Sequence, residues 1–578
     1  MRFTRPTLLA LALASCTPMP APADGGPTDD GGGPDAFVPP VDADVHHGLR
    51  LPACEDTDPA PATALPHYPS TLMGTYVPHA SRLTAPGAIN PAFEMGEMMY
   101  RAAGYHIVDT GPGQTHVVRT DLGGAATTST DRRWLAWLAH LSDFQLADDE
   151  APTRLGRTDN PSVGGGLRAQ EAYLPRAVSA MNRTFARIDA AGRGFDVGII
   201  TGDCADSALA NELGWVLDVM NGTPALETDS GDDDDPIPGP NNDPKDPFDP
   251  VAFPAPWLYV PGNHDLEIVG ITTPGPTQIA EALGTRAPAG TRDYRQWYAP
   301  ITTGDVPADP GRILIDRDGI VERVRAATAN GPMGPAGHGF PDTGTFDTSL
   351  GANYAYDVIP NVLRIVTVDT SDRTGGSNGM VLQAMVDGWL IPQLDRAVAD
   401  HVLVILASHH ATSAIDVFEG QLGTSPVPGA LTAETVENLV AMRPEVIVWL
   451  VGHDHDNRIR AVAGPDAAHP GYWQIMTSAI ADWPSQARTI ELVDNGDGTL
   501  SIFATLVDYD TDDCFERRYR ALTQMEWVSA WSDDRTHDAP NHNVELIRTI
   551  PMSAAAAITA AHATAATRIE SLTTLTGS

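Results

Sequence analysis

The stretch FDVGIITGDCAD, residues 195–206, decides the fold. A short, nearly continuous apolar run at 195–200 passes through Thr201 and Gly202 into acids at Asp203 and Asp206. Such a run fits a strand buried on both faces, inside a sheet covered by helices. Gly202 has no side chain to hold the backbone away, so the carboxylate of Asp203 can be brought in close beyond the strand end. Four more segments repeat the design: LSDFQ (141–145), PGNHD (261–265), ASHH (407–410) and VGHDH (451–455). They close apolar runs at 134–141, 257–260, 402–407 and 446–451, and a further run lies at 362–368. Helical patterns at 171–191, 207–220, 379–399 and 433–442 fall between them. Strands alternating with helices predict a layered α/β core. The segments 472–480, 487–493 and 500–508 read as antiparallel strands that complete a second sheet, with Asn495-Gly496 and Asp497-Gly498 marking a hairpin.

The polar residues behind these runs are carboxylates, amides and imidazoles. Each cluster alone has a plain structural reading: Asp143 as a strand-to-loop acceptor, Asn263 capping its own turn, His453 and His455 sharing one face of a strand. Five of them in one chain, each at a strand end, have the chemistry of a two-metal hydrolytic site. Two divalent ions about 3.5–4 Å apart lower the pKa of a shared water and polarise a phosphoryl oxygen. One carboxylate must touch both, and Asp203 is the natural bridge. Imidazoles suit zinc, iron and manganese, whereas carboxylate and amide oxygens extend the range to magnesium.

These motifs resemble the signature of the calcineurin-like metallophosphoesterase superfamily: Asp-x-His, Gly-Asp-x-x-Asp, Gly-Asn-His-Asp/Glu, a strand-end His, and Gly-His-x-His. The resemblance spans Asp143 to His455, with Gln145 standing where the family usually has His. It implies a four-layer sandwich of two mixed β-sheets flanked by helices. It also implies two divalent ions (Mn, Fe, Zn or Mg), the first held by Asp143, Gln145, Asp203 and His455. The second would use Asp203, Asn263, His453 and His409, with His410 as the alternative. On the same resemblance a hydroxide shared by the ions is the nucleophile, and His264, oriented by Asp206, protonates the leaving oxygen. Arg458 and His410 are candidates for substrate contact; Arg458 reads equally as part of a solvated turn. The implied activity is hydrolysis of small phosphate esters, by a phosphodiesterase or a phosphomonoesterase. The rival is a surface protein of the same fold that lost turnover through Gln145.

Charge and termini add the setting. With 36 Lys and Arg against 75 Asp and Glu, the formal net charge is -39, a field that repels DNA and RNA. A Gly/Pro/Asp-rich insertion at 222–254 contributes to it, and a calcium role for its acids is weak by sequence because no regular ligand loop is visible. Arg2 and Arg5 precede an apolar run at 8–13, and Leu13-Ala14-Ser15-Cys16 resembles a lipobox. The expected organisation is a signal peptide at 1–15, acylated Cys16 opening a flexible tether at 16–50, and an extension at 51–130. A catalytic domain at 131–511 and a C-terminal extension at 512–578 follow. The expected location is exported, as a bacterial lipoprotein held on a membrane by its lipid. Beyond Cys16 stand Cys54, Cys204 and Cys514, an odd number that leaves one thiol free.

Overall fold

The computed structural model describes residues 65, 70–79, 94–154, 168, 170–192, 194–234, 238–293, 301–327, 336–341, 344–529 and 539–564. The expected signal, Cys16, the tether and Cys54 lie outside the described residues. In chain order the strands are β1 (Gly74–Pro78), β2 (Val108–Pro112), β3 (Val117–Arg119), β4 (Arg133–Leu141), β5 (Val197–Ile200), β6 (Trp257–Tyr259), β7 (Arg286–Arg292), β8 (Ile301–Asp305), β9 (Ala355–Ile359), β10 (Leu363–Val368), β11 (Leu403–Ser408), β12 (Val446–Val451), β13 (Arg458–Asp466), β14 (His469–Met476), β15 (Gln486–Asp494), β16 (Thr499–Asp508) and β17 (Val544–Thr549).

Two sheets carry the molecule. One has seven strands in the order β3-β17-β16-β15-β4-β5-β6, the other six in the order β13-β14-β12-β11-β10-β9. Both are mixed: β4, β5 and β6 are mutually parallel, as are β10, β11 and β12, while β15–β16 and β13–β14 are antiparallel. Period-two alternation distributes the apolar side chains of the six-stranded sheet. Leu363, Ile365, Leu403, Ile405, Val448 and Leu450 join one core with residues of the seven-stranded sheet such as Leu138, Ile199 and Ile490. Val366, Val368, Val404, Leu406, Trp449 and Val451 form a second core with Leu390 and Leu394 and with Val436 and Val440, from the outer helices. Val178, Met181 and Phe185 of helix Leu174–Ala191 pack into the larger core as well. The result is the expected α/β arrangement of two mixed sheets flanked by helices.

Three details differ from the sequence reading. The segment 472–480 contributes β14 to the six-stranded sheet, parallel to β12, whereas β15 and β16 belong to the other sheet. Its antiparallel partner is β13, an edge strand with Pro465 near its end, which sequence pattern did not single out. The helical pattern at 379–399 begins at Gln383 and passes through a π turn, Val386–Leu390, before helix Ile391–Asp400. Finally, β3 and β17 lie on either side of 131–511, yet both are strands of the seven-stranded sheet, and helix Cys514–Ser529 packs into the same core through Phe515, Leu522 and Met525. Cys514 is disulfide-bonded, and Cys204 is a free, buried thiol. Among the described residues no helix is long and apolar enough to cross a membrane.

Candidate metal centre

Because β4, β5 and β6 run parallel in one sheet and β11 and β12 run parallel in the other, the five motif loops leave at carboxyl ends, where open α/β sheets present ligand sites. The loops meet at the seam between the sheets. Asp143, Asp203 and His409 bring ligand atoms within 4.8 Å of one another, and so do His409, His410 and His453. Nε2 of His409 lies 3.0 Å from Oδ2 of Asp203 and 4.0 Å from Oδ1 of Asp143. Nδ1 of His453 lies 3.2 Å from Nε2 of His409, and Nε2 of His455 lies 3.4 Å from Oδ1 of Asp143.

The loops achieve this with strained backbone. Asp143, Gln145, Asp203, His453 and His455 all have positive φ, between 45° and 79°, a conformation costing a non-glycine residue of order 1 kcal/mol. Hydrogen bonds hold them there: Asp143 N donates to Gly202 O at 3.0 Å and Gln145 N to Asp203 O at 2.8 Å. Gly202 has φ +90°, and a Cβ there would press on Gly262 N and on Nδ1 of His409 at 2.7 and 2.8 Å. At Gly452 a Cβ would collide with Ser142 and with the Asp143 carboxylate. Asp265 clamps two loops, its carboxylate accepting from the backbone N–H of Cys204 (3.0 Å), Ala205 (2.9 Å) and Gly262 (2.8 Å). Glu212 does the same for Asp148 at 2.9 Å and Ser207 at 2.7 Å.

The donor set fits a pair of divalent cations. Oε1 of Gln145 and Oδ1 of Asn263 are buried, and among the described residues neither meets a hydrogen-bond donor, while Nδ2 of Asn263 is committed to Gly270 O at 2.9 Å. A buried amide oxygen without a donor costs about 1–3 kcal/mol, a deficit that a cation removes. Asp203 is poised likewise. Burial alone would raise its carboxyl, yet the facing His409 and His264 hold it below the usual carboxylate range. Conversely, burial opposes charge on His409, but Asp203 raises its pKa to about 9. A cation entering here must displace that proton, so affinity rises with pH.

The two strand-end histidines are not equivalent. Nδ1–H of His409 donates to Thr201 O at 2.7 Å, which leaves Nε2 toward the acids. His410 has both ring nitrogens engaged, Nε2 with Ser377 O at 3.1 Å and Nδ1 with the Thr370 hydroxyl at 2.9 Å. Its lone pair is spent, and burial followed by the neighbouring His453 and His409 depresses its pKa. Arg458 is held by Asp454 at 2.7 Å and Asp456 at 2.9 Å, so its guanidinium is already neutralised on its own turn.

Asp206 sits beside His264, but not as its sequence position suggests. Nδ1 of His264 lies 2.7 Å from the backbone oxygen of Asp206 and 3.6 Å from its carboxylate. That carboxylate faces Arg154 at 3.3 Å and Arg168 at 3.4 Å, and accepts the Ser207 hydroxyl at 3.1 Å. The two buried arginines draw it away from the ring. Sequence reasoning missed both, along with Asp482. Asp482 accepts from Nδ1 of His455 and pairs with Nε of Arg168 at 3.3 Å. A carboxylate behind a metal-binding histidine fixes its tautomer and raises its basicity. Asp482→Asn is therefore expected to weaken binding of the ion nearest His455 by about 10- to 100-fold, read by metal titration of the purified protein. An unchanged affinity would make Asp482 a packing residue only.

No family model matches the chain, and no curated protein matches it significantly. Among solved structures it is similar to a dimetal phosphatase from Danio rerio, at 14% identity and TM-score 0.35 over 65% of this chain and 100% of that one. It is similar also to the sulfate thiohydrolase SoxB of Termus thermophilus, at 13% identity and TM-score 0.28 over 69% and 61% of the two chains. A third is PhoD, at 10% identity and TM-score 0.25 over 70% of each.

Proposed function

We propose that the chain is a two-metal hydrolase of phosphate esters of the calcineurin-like metallophosphoesterase kind. The observation that carries this reading is the meeting of four motif loops in one cluster of ligand atoms from Asp143, Asp203, His409, His410 and His453, with the fifth loop joined to Asp203 through His264 N at 2.8 Å. Two buried amide oxygens on these loops, of Gln145 and Asn263, lack donors among the described residues. Asp143, Gln145, Asp203 and His455 would hold one ion, and Asp203, Asn263, His409 and His453 the other. When bound, such a pair supplies an activated water and neutralises phosphoryl oxygens. The chain's own part is to orient and to move protons. The Asp206 carbonyl holds Nδ1–H of His264, leaving Nε2 as the atom that passes a proton to the departing alkoxide. The formal charge of -39 favours small esters over polyanions.

The test is hydrolysis of bis-p-nitrophenyl phosphate and of p-nitrophenyl phosphate with added manganese, with metal analysis of the same sample. Two ions per chain with turnover support the hydrolase, and the faster substrate assigns diester or monoester preference. One ion or none, without turnover, supports the inactive surface protein. Gln145→His sharpens the choice, because imidazole is the better zinc donor. With zinc, this variant is expected to keep or raise the wild-type rate. A loss of zinc and of rate in a folded variant would remove Gln145 from the ligand set.

A further inference from the structure

A second acidic cluster lies away from the motif loops, where the insertion 222–254 meets the segment after Gln145. One oxygen each from Glu150, Asp233 and Asp234 lie within 4.8 Å of one another. Asp234 is 2% exposed and, among the described residues, neither of its carboxylate oxygens meets a hydrogen-bond donor; Glu150 is 1% exposed, and its Oε1 is likewise without one among them. The nearby cations make their shortest ion pairs with other acids. Arg312 binds Asp148 at 2.7 Å and reaches Oε2 of Glu150 only at 3.4 Å, and Lys245 binds Asp149 at 2.8 Å. Burial, then the surrounding acids, push the Glu150 carboxyl up to about 9; burial with Asp149, Asp229 and Asp233 pushes Asp234 up to about 8 despite Lys245.

Buried carboxylates with no donors cost several kcal/mol unless paired, hydrogen-bonded or bound to a metal. We infer that Glu150, Asp233 and Asp234 form a third cation site, separate from the motif cluster, that takes calcium. The donor chemistry selects the ion. All three ligands are carboxylates, with no imidazole or thiolate, which excludes a preference for zinc. Calcium takes six to eight oxygens at about 2.3–2.6 Å, so oxygens across the ion stand up to about 5 Å apart, a span this trio fits. Asp233 is exposed, so water completes the shell on that side. The ion would pin the insertion to the segment that leads out of the first motif.

The test uses the full chain with its motif site preloaded with manganese, so that added calcium reports elsewhere. Calorimetric titration is expected to show one calcium per chain. Thermal unfolding is expected to rise by roughly 3 °C at a hundredfold excess over Kd, with magnesium giving less. The double variant Glu150→Gln/Asp234→Asn is expected to lose the calcium response while keeping its manganese content. No calcium uptake by the wild type, or an undiminished response in the double variant, overturns the site. If the acids are instead stabilised by shared protons, wild-type stability rises on acidification from pH 8 to 6 and calcium does nothing, which overturns it too. Should the double variant fail to fold, the wild-type titration decides alone.

Discussion

Asp203→Asn is expected to lower the rate of phosphate ester hydrolysis on the order of 10³-fold, about 4 kcal/mol in the barrier, with the fold retained. The expectation rests on what the carboxylate touches. Its Oδ2 faces Nε2 of His409 at 3.0 Å, and its Oδ1 accepts the backbone N–H of His264 at 2.8 Å. An amide of the same shape can still accept from His264 through its oxygen, so the loop survives. It cannot offer two anionic oxygens to two ions. His409 also loses the chief of the partners that raise its pKa, so it holds a proton less firmly in the variant. Metal analysis should find fewer than two ions per chain, while circular dichroism stays unchanged. A variant that retains both ions and its rate would remove Asp203 as the bridge, and with it the two-metal reading.

The second large effect belongs to His264, and it should depend on the leaving group. His264→Ala is expected to slow hydrolysis of an alkyl phosphate ester by about 10²- to 10⁴-fold, the usual range for general acid catalysis. A p-nitrophenolate leaves without needing a proton, so p-nitrophenyl esters should suffer far less. The imidazole is held through Nδ1 by the Asp206 carbonyl, and a Cβ at Gly270 would collide with the ring, so its placement is tight. Equal losses on both ester classes would mean that the ring shapes the site rather than delivering a proton, since alanine keeps the backbone N–H that reaches Asp203.

Much of this was legible in the sequence because its elements are local. The run 446–451 is β12 to the residue, and 134–141 and 402–407 are β4 and β11 within one residue at either end. Continuous apolar runs ending in Gly-Asp, Gly-Asn or Gly-His carry both the strand and its candidate ligand in one short window. What stayed hidden depends on distant chain. Asp482 reaches His455, and Arg154 and Arg168 turn the Asp206 carboxylate aside; none of the three lies within a motif. A sequence names Asp206 but not which of its oxygens faces a ring. Edge strands were illegible for a different reason. β3 has three residues and β13 is half-exposed, so neither shows the period that burial imposes.

The place of β17 has a kinetic meaning. It lies between β3 and β16, pairing Val544 with Val117 on one side and Thr549 with Thr499 on the other. Until residue 549 has been synthesised, Thr499–Ala504 of β16 form a border with unmet backbone donors and acceptors, and β3 has nothing to lie against. Contacts that distant in the chain form slowly, and the partly closed intermediate is prone to aggregate. The ribosome thus finishes most of this polypeptide before its larger β-layer can close.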